Sequence, residues 1–379
     1  DHDIGGDCLN DGCVPSKSFI HIARIAWQAR QAAHFGMQVT GNADMKKATQ
    51  YVYERQEVIR AHENADWLSK QGVEVALGIA SFTAKDTIIV AGKQYKANKI
   101  VIATGSRPKK LHVPGVENVS YYDNENIFKL EKLPERLLVI GGGPIGIEIA
   151  QAMSRLGSKV TVVHKGDNLL EHDDAEMTTL LKLKLEEEGI IFRLQSSVEE
   201  FTSATEAAVK DSNGETSNIQ FDAVFVAVGR DLNIEKLQLQ DAGIAVEKGK
   251  IVTDKYLRTS NKKVLVCGDI AGSLQFSHAA EFHARIILNN LFSPIRKKLN
   301  NDHMSWVTFT DPELATFGLN EQQLKERGIS YDKLEDDFSE DDRAVTDNYQ
   351  YAKVKLFISA KKMFGKQRIL GGTMLAPNA

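Results

Sequence analysis

Between Leu137 and Val163 the chain spells strand, glycine turn, helix and strand, and few folds accommodate that order. Leu137–Ile140 is wholly apolar and runs into Gly141-Gly142-Gly143-Pro144-Ile145-Gly146. Ile145, Ile149, Ala152, Met153 and Leu156 then recur at helical spacing, Gly157 stops the helix, and Val160–Val163 forms a second apolar run. G-x-G-x-x-G on its own marks many ordinary tight turns. Between a strand and a helix, its glycines let the backbone approach a pyrophosphate seated on the helix N-terminus. Gly141, Gly142, Gly143, Ile145 and Gly146 are therefore candidate dinucleotide contacts. An NAD site wants an acid at the end of the second strand, where it accepts from the ribose hydroxyls. Here that strand ends in His164-Lys165, with Asp167 close behind. A basic pair suits a 2′-phosphate, so NADPH is expected, with NADH as the alternative.

Cysteine usage constrains the chemistry. Cys8 and Cys13 lie five residues apart, and the third cysteine, Cys267, is isolated. A secreted framework would spread several pairs along the chain. One close pair points instead to redox chemistry or a metal site in a reducing compartment, which makes a cytoplasmic location the expectation. In an uninterrupted helix, positions i and i+5 are too far apart for the ~4.4–6.8 Å Cα separation of a disulfide. Asn10-Asp11-Gly12 lets the backbone bend and close a small, strained, easily reduced ring. Pro15 marks the start of the following helix, whose N-terminus, with Lys17 one turn in, would stabilise a thiolate on Cys13. A zinc site would need partner ligands, and no Cys-x-x-Cys or histidine cluster supplies them, so no metal is expected. Cys267 reads as a small buried hydrophobe.

The net charge of −4, from 47 basic and 51 acidic residues, gives no electrostatic footprint for nucleic acid or an anionic membrane. The longest apolar stretch, Leu137–Ala150, is broken by glycines and too short to span a bilayer. Helical periodicity covers Ser16–Ala33 and a second stretch, Asp44–Lys70, ending before Gly72. Strands are expected at Glu74–Leu77, Thr87–Val90, Gln94–Tyr95 and Lys99–Ala103, the last read as a buried parallel strand. After the central βαβ unit come a helix at Ala175–Glu188, a hairpin at Asn213-Gly214, a buried strand at Ala223–Val228, a strand at Val264–Cys267 and a helix at Phe276–Phe292. The fold class is α/β, with two Rossmann-like nucleotide domains, one interrupting the other, and an α+β tail. The expected divisions are 1–125, 126–246, 247–303 as a return to the first domain, and 304–379.

Gly5-Gly6-Asp7-Cys8-Leu9-Asn10-Asp11-Gly12-Cys13-Val14-Pro15-Ser16-Lys17 resembles the redox signature of the class I pyridine nucleotide-disulfide oxidoreductases. This group contains mercuric reductase, dihydrolipoamide dehydrogenase and glutathione reductase. The resemblance implies FAD, a nicotinamide nucleotide, a homodimer, and a substrate that is a small disulfide, a dithiol or a thiol-reactive metal. It makes Cys8 the interchange thiol and Cys13 the flavin-proximal, charge-transfer thiol, with Lys17 near the flavin and paired to Glu148 beside the nicotinamide. By the same resemblance, Ala80, Ala103-Thr104-Gly105, Asp269 and Ser277 contact FAD, and Gly229, in Ala227-Val228-Gly229-Arg230, contacts the nicotinamide nucleotide. It also places a first flavin glycine motif before Asp1 and a His-x-x-x-x-Glu acid–base dyad after Ala379, so the chain reads as lacking both ends. His278 and His303 do not replace that base. The wording around the cysteines and Asp342-Arg343-Ala344 look most like mercuric-reductase-like members. Dihydrolipoamide dehydrogenase is the alternative, and a thiol redox sensor or metal-binding module is the non-enzymatic one.

Overall fold

The structure, a computed structural model, describes residues 4–349, 351–361 and 366–379. The chain forms two discontinuous compact units. The first comprises Asp1–Val14, Glu54–Lys109 and Arg230–Asn300; the second comprises Pro15–Tyr53, Lys110–Gly229 and Asn301–Ala379.

The second unit is organised by a five-stranded, wholly parallel sheet. Its order is Tyr121–Tyr122, Ala223–Val226, Arg136–Ile140, Lys159–Val163, Ile191–Arg193. The near-continuous apolar strands follow from burial on both faces: Leu137, Leu138, Val139, Val224 and Phe225 are all at most 1% exposed. The Pro144–Leu156 and Ala175–Glu187 helices pack on this sheet through Ile147, Ile149, Met153, Leu181 and Leu185. Asp174 caps the second of these helices, accepting from the amides of Glu176 and Met177. A three-stranded hairpin sheet (Ser197–Ser203, Glu206–Lys210, Thr216–Gln220) turns at Asn213-Gly214 as expected. The tail is a five-stranded antiparallel sheet in the order Ser305–Thr308, Glu313–Gly318, Ile369–Ala376, Lys353–Ser359, Tyr331–Asp337.

The first unit carries smaller sheets around its own core, with Phe82, Leu257, Val264, Val266 and Ile286 at the centre. Ile100–Ile102 pairs in parallel with Val264–Val266, and Ser106–Pro108 pairs antiparallel with Arg230–Leu232. The Ser277–Phe292 helix buries Ala279, His283, Ile286 and Ile287.

Three expectations are corrected. The helical stretch at Asp44–Lys70 is two helices, Met45–Arg60 and Ala65–Lys70. Asn64 opens the second by accepting from the Trp67 amide, and so diverts the backbone from a single run. No strand forms at Glu74–Leu77. The hairpin partner of Thr87–Val90 is instead Ala80–Ala84, registered across the Lys85-Asp86 turn. The run at Lys99–Ala103 narrows to Ile100–Ile102 and is not buried throughout: Val101 is 44% exposed, since a two-stranded sheet covers only part of it.

Candidate active site

The cysteine segment folds as two helices broken between the sulfurs. Gly6–Asn10 forms one short turn of helix, and Cys13 opens the Cys13–Gln31 helix. The break uses Gly12, where a Cβ would stand 2.8 Å from both the Asp7 carbonyl and a carboxylate oxygen of Asp7. The Asp11 amide donates to the Asp7 carbonyl at 2.9 Å, and the Gln56 side chain donates to the carbonyls of Leu9 and Asn10, each at 2.8 Å. Both cysteines are half-buried thiols. Cys13 Sγ lies 3.1 Å from the Ser277 hydroxyl, at the first residue of the 16-residue Ser277–Phe292 helix. Hydrogen bonding to the Cys13 side chain, followed by burial, pushes the Cys8 thiol above the usual cysteine range; the Ser277 hydroxyl opposes the shift.

Of the other flavin candidates in this unit, Asp269 and Ala103-Thr104-Gly105 lie at one polar cluster. Asp269 follows the Val264–Val266 strand in the Gly268–Ala271 turn, and its Oδ2 accepts from the Ser106 hydroxyl at 2.5 Å. Arg230 donates to the Ser106 Oγ at 2.6 Å, the Ser106 carbonyl at 3.0 Å and the Asp7 carboxylate at 2.9 Å, and lies 3.9 Å from Asp269. Asn233 clamps Ala103-Thr104-Gly105, donating to the Thr104 carbonyl and accepting from its hydroxyl, both at 2.9 Å. Gly105 has open space where a Cβ would stand. Ala80 is half-buried at the start of its strand. The Gly268 amide donates to His283 Nδ1 at 3.2 Å, and that ring is fully buried. Burial, opposed by Asp269, lowers the His283 pKa below the usual imidazole value. Ser106 belongs to the Ala103-Thr104-Gly105-Ser106 segment that resembles the one beneath FAD, whereas nothing in the sequence marks Asn233 or His283.

In the second unit, Lys17 Nζ donates to Glu148 Oε2 at 2.9 Å, and Glu148, 5% exposed, also accepts from the Phe309 amide at 2.8 Å. The ammonium lies 4.6 Å from the centre of the Phe309 ring. The pairing expected from the resemblance is thus present as a geometry. The glycine turn fits a dinucleotide. A Cβ on Gly146 would stand 2.1 Å from the Gly141 carbonyl, so strand and helix can meet only through glycine, whereas nothing lies within 4 Å of a Cβ on Gly143. Gly143 is the N-cap, Pro144 follows it, and no side chain caps the helix, which leaves first-turn amides to face an anion. Ile145 is 39% exposed on that first turn, and Gly229 is exposed.

His164 departs from the part expected of it. Its Nδ1 accepts from the Gly142 amide at 3.1 Å, and Nε2 lies 3.4 Å from Glu171, so the ring is folded onto the loop as a brace. Lys165 is exposed and in no ion pair among the described residues. His278 stacks on Phe276, and His303 is exposed. Cys267 is half-buried, with burial raising its pKa. Among the described residues no cluster of His, Cys, Asp and Glu could hold a metal ion, and no helix is long and apolar enough to cross a membrane.

Residues 2–284 match the pyridine nucleotide-disulphide oxidoreductase family, and residues 304–379 match its dimerisation domain, which supports a homodimer. A mercuric reductase of Staphylococcus aureus is 32% identical over 381 residues, covering 99% of this chain and 69% of the relative. A dihydrolipoyl dehydrogenase of Bacillus subtilis is 30% identical over 381 residues, covering 99% and 82%. Among solved structures, the HOCl-induced flavoprotein disulfide reductase RclA of Escherichia coli superposes with a TM-score of 0.85 at 26% identity, covering 99% of this chain and 82% of that one. The two nucleotide-domain signatures, the dimerisation sheet and these matches agree: the chain belongs to the FAD-dependent pyridine nucleotide-disulfide oxidoreductases.

Proposed function

We propose that this enzyme uses NADPH to reduce the Cys8–Cys13 pair, which in turn reduces a small thiol-reactive substrate, as a mercuric-reductase-like member of the family. The observation that carries the proposal is the hydrogen-bonded cluster of Cys8, Cys13 and Ser277 at a helix N-terminus. Bound FAD would supply two-electron transfer between the nicotinamide and sulfur. Thr104, Gly105, Asp269, Ser277 and Ala80 would contact it, and Lys17 is held by Glu148. The open turn at Gly141–Gly146 would bind the nucleotide pyrophosphate, with Lys165 meeting the 2′-phosphate and His164 bracing the loop.

Once reduced, the pair does the substrate chemistry. For a disulfide substrate, Cys8 attacks one sulfur, forming a mixed disulfide and releasing one thiol. Cys13 then attacks Cys8, closing the intramolecular ring and releasing the second thiol, so two electrons leave the pair for each disulfide cleaved. Two nearby thiols kept ready for this exchange suit the reducing cytoplasm. Dihydrolipoamide dehydrogenase, running the same steps in reverse, is the alternative, supported by the Bacillus subtilis relative. In the FAD-loaded enzyme, Cys8→Ser and Cys13→Ser should each abolish NADPH-dependent substrate turnover while flavin reduction by NADPH persists. Steady-state and stopped-flow absorbance separate the two, and turnover equal to wild type in either variant overturns the assignment.

A further inference from the structure

The chemistry assigned to Cys8 and Cys13 uses neither Asp7 nor Arg230, yet the structure binds these two together beside the redox pair. Asp7 directly precedes Cys8. Its carbonyl receives the Asp11 amide, and its carboxylate packs where a side chain on Gly12 would stand. The segment that spaces the two sulfurs is therefore built around Asp7. The Asp7 side chain is 44% exposed, but its partner is not: Arg230 is 10% exposed and fixed by three further contacts, to Ser106 Oγ, the Ser106 carbonyl and, more distantly, Asp269. An exposed ion pair between two mobile side chains contributes little. An arginine whose fork is already locked pays much less entropy to hold a carboxylate in place. The Glu63 carboxylate lies beside Gly5, so Asp7 is not the only acid near the cysteine segment.

We propose that Arg230 is a positioning residue that balances the Asp7 carboxylate beside Cys8, and that this pair sets the reduction potential of the Cys8–Cys13 couple. The proposal rests on the redox role assigned above to the two cysteines. Its physical basis is that the reduced pair carries a thiolate and the disulfide carries none. A net negative charge next to the pair disfavours the reduced form, and a net positive charge favours it. Neutralising the acid and neutralising the base should therefore shift the potential in opposite directions. A purely structural contact would instead shift both variants the same way, or neither.

The test is equilibration of the FAD-loaded enzyme and its variants in dithiothreitol redox buffers, followed by alkylation and mass analysis of the Cys8–Cys13 peptide. In each exchange the protein disulfide breaks and the dithiothreitol disulfide forms. Two electrons pass to the pair, and the proton not retained by the thiolate goes to buffer. Asp7→Asn keeps the shape and should favour the reduced pair about tenfold, roughly +30 mV for a two-electron couple. Arg230→Gln should disfavour it by about the same factor, and the double variant should return to within about threefold of wild type. Arg230→Lys, which keeps the charge but not the fork, should stay within about threefold, and it serves as the reference should Arg230→Gln not fold. Unshifted potentials, or shifts of the same sign in Asp7→Asn and Arg230→Gln, overturn the proposal alone. A wild-type enzyme that shows no Cys8–Cys13 couple overturns the assignment beneath it as well.

Discussion

Two turns in this chain place a glycine just past an apolar strand, and in each a glycine amide donates to a histidine Nδ1. In the second unit Gly142 donates to His164 at 3.1 Å, and in the first Gly268 donates to His283 at 3.2 Å. Beyond that shared brace they diverge. The turn at Gly142 leads straight into an uncapped 13-residue helix and leaves open space beside Gly143. What it offers a ligand is backbone and room. The turn at Gly268 forms a single 3₁₀ turn bearing Asp269, whose carboxylate is held by Ser106 and flanked by Arg230. What it offers is a side chain positioned by other side chains. A backbone site is encoded in the spacing of its glycines, whereas a side-chain site is encoded wherever its partners happen to lie in the chain.

The sharpest way to break this comparison lies within the first turn. Gly146→Ala would drive a methyl group into the Gly141 carbonyl, 2.1 Å away. Displacing the loop by about 1 Å should cut kcat/KM for NADPH by about 100-fold. Gly143→Ala meets nothing within 4 Å, and its φ of −80° suits alanine, so stability should hold while the KM for the nucleotide rises. Equal effects of the two on stability and on KM would mean that the open space is not a binding surface. A smaller effect is expected at the end of the neighbouring strand. A charge-assisted contact to a 2′-phosphate is worth about 1.5–3 kcal/mol, so Lys165→Glu should lower NADPH efficiency roughly ten- to hundredfold and leave NADH little changed. A wild-type preference for NADH, unmoved by the change, would leave Lys165 as a solvated surface charge.

The smallest effect belongs to the second turn. The buried His283 has a pKa below that of an unfolded imidazole, near 6.5, because burial disfavours its charged form. At low pH the unfolded chain then binds a proton that the folded chain refuses. The stability from the neutral ring is complete above about pH 6.5 and is lost as the pH falls through the lower folded value. Between pH 7 and 5 the urea midpoint of wild type should therefore fall further than that of His283→Asn, whose amide oxygen can still accept from Gly268. Parallel declines would show that His283 does not titrate on unfolding.

The same contrast explains what could be read from the sequence. The parallel strands Leu137–Ile140 and Ala223–Val226, the intervening helix and the uncapped glycine turn were legible because apolar period and glycine spacing are local signals. So was the break between Cys8 and Cys13, since a disulfide cannot close across a continuous helix. The pairing of Lys17 with Glu148, 131 residues apart, came only from resemblance, and the Ser106–Arg230–Asp7–Asp269 cluster was not visible at all. These contacts depend on tertiary partners that no periodicity records. His164 was legible as a basic residue at a strand end but not as a loop brace, because its role is decided by an amide 22 residues earlier. Glu74–Leu77 failed for the opposite reason. Its apolar run Val75-Ala76-Leu77 suits a strand, but Ala80–Ala84 holds the hairpin register with Thr87–Val90.

The central claim is that Cys8 and Cys13 are one two-electron couple fed by NADPH through FAD. Timed alkylation of the FAD-loaded enzyme, before and after anaerobic addition of one equivalent of NADPH, tests it most directly. The oxidised enzyme should be labelled at Cys267 alone or not at all. After reduction both Cys8 and Cys13 should become alkylable, Cys8 the faster, as the thiol that meets substrate. Labelling of Cys8 and Cys13 that is the same before and after NADPH would contradict the account.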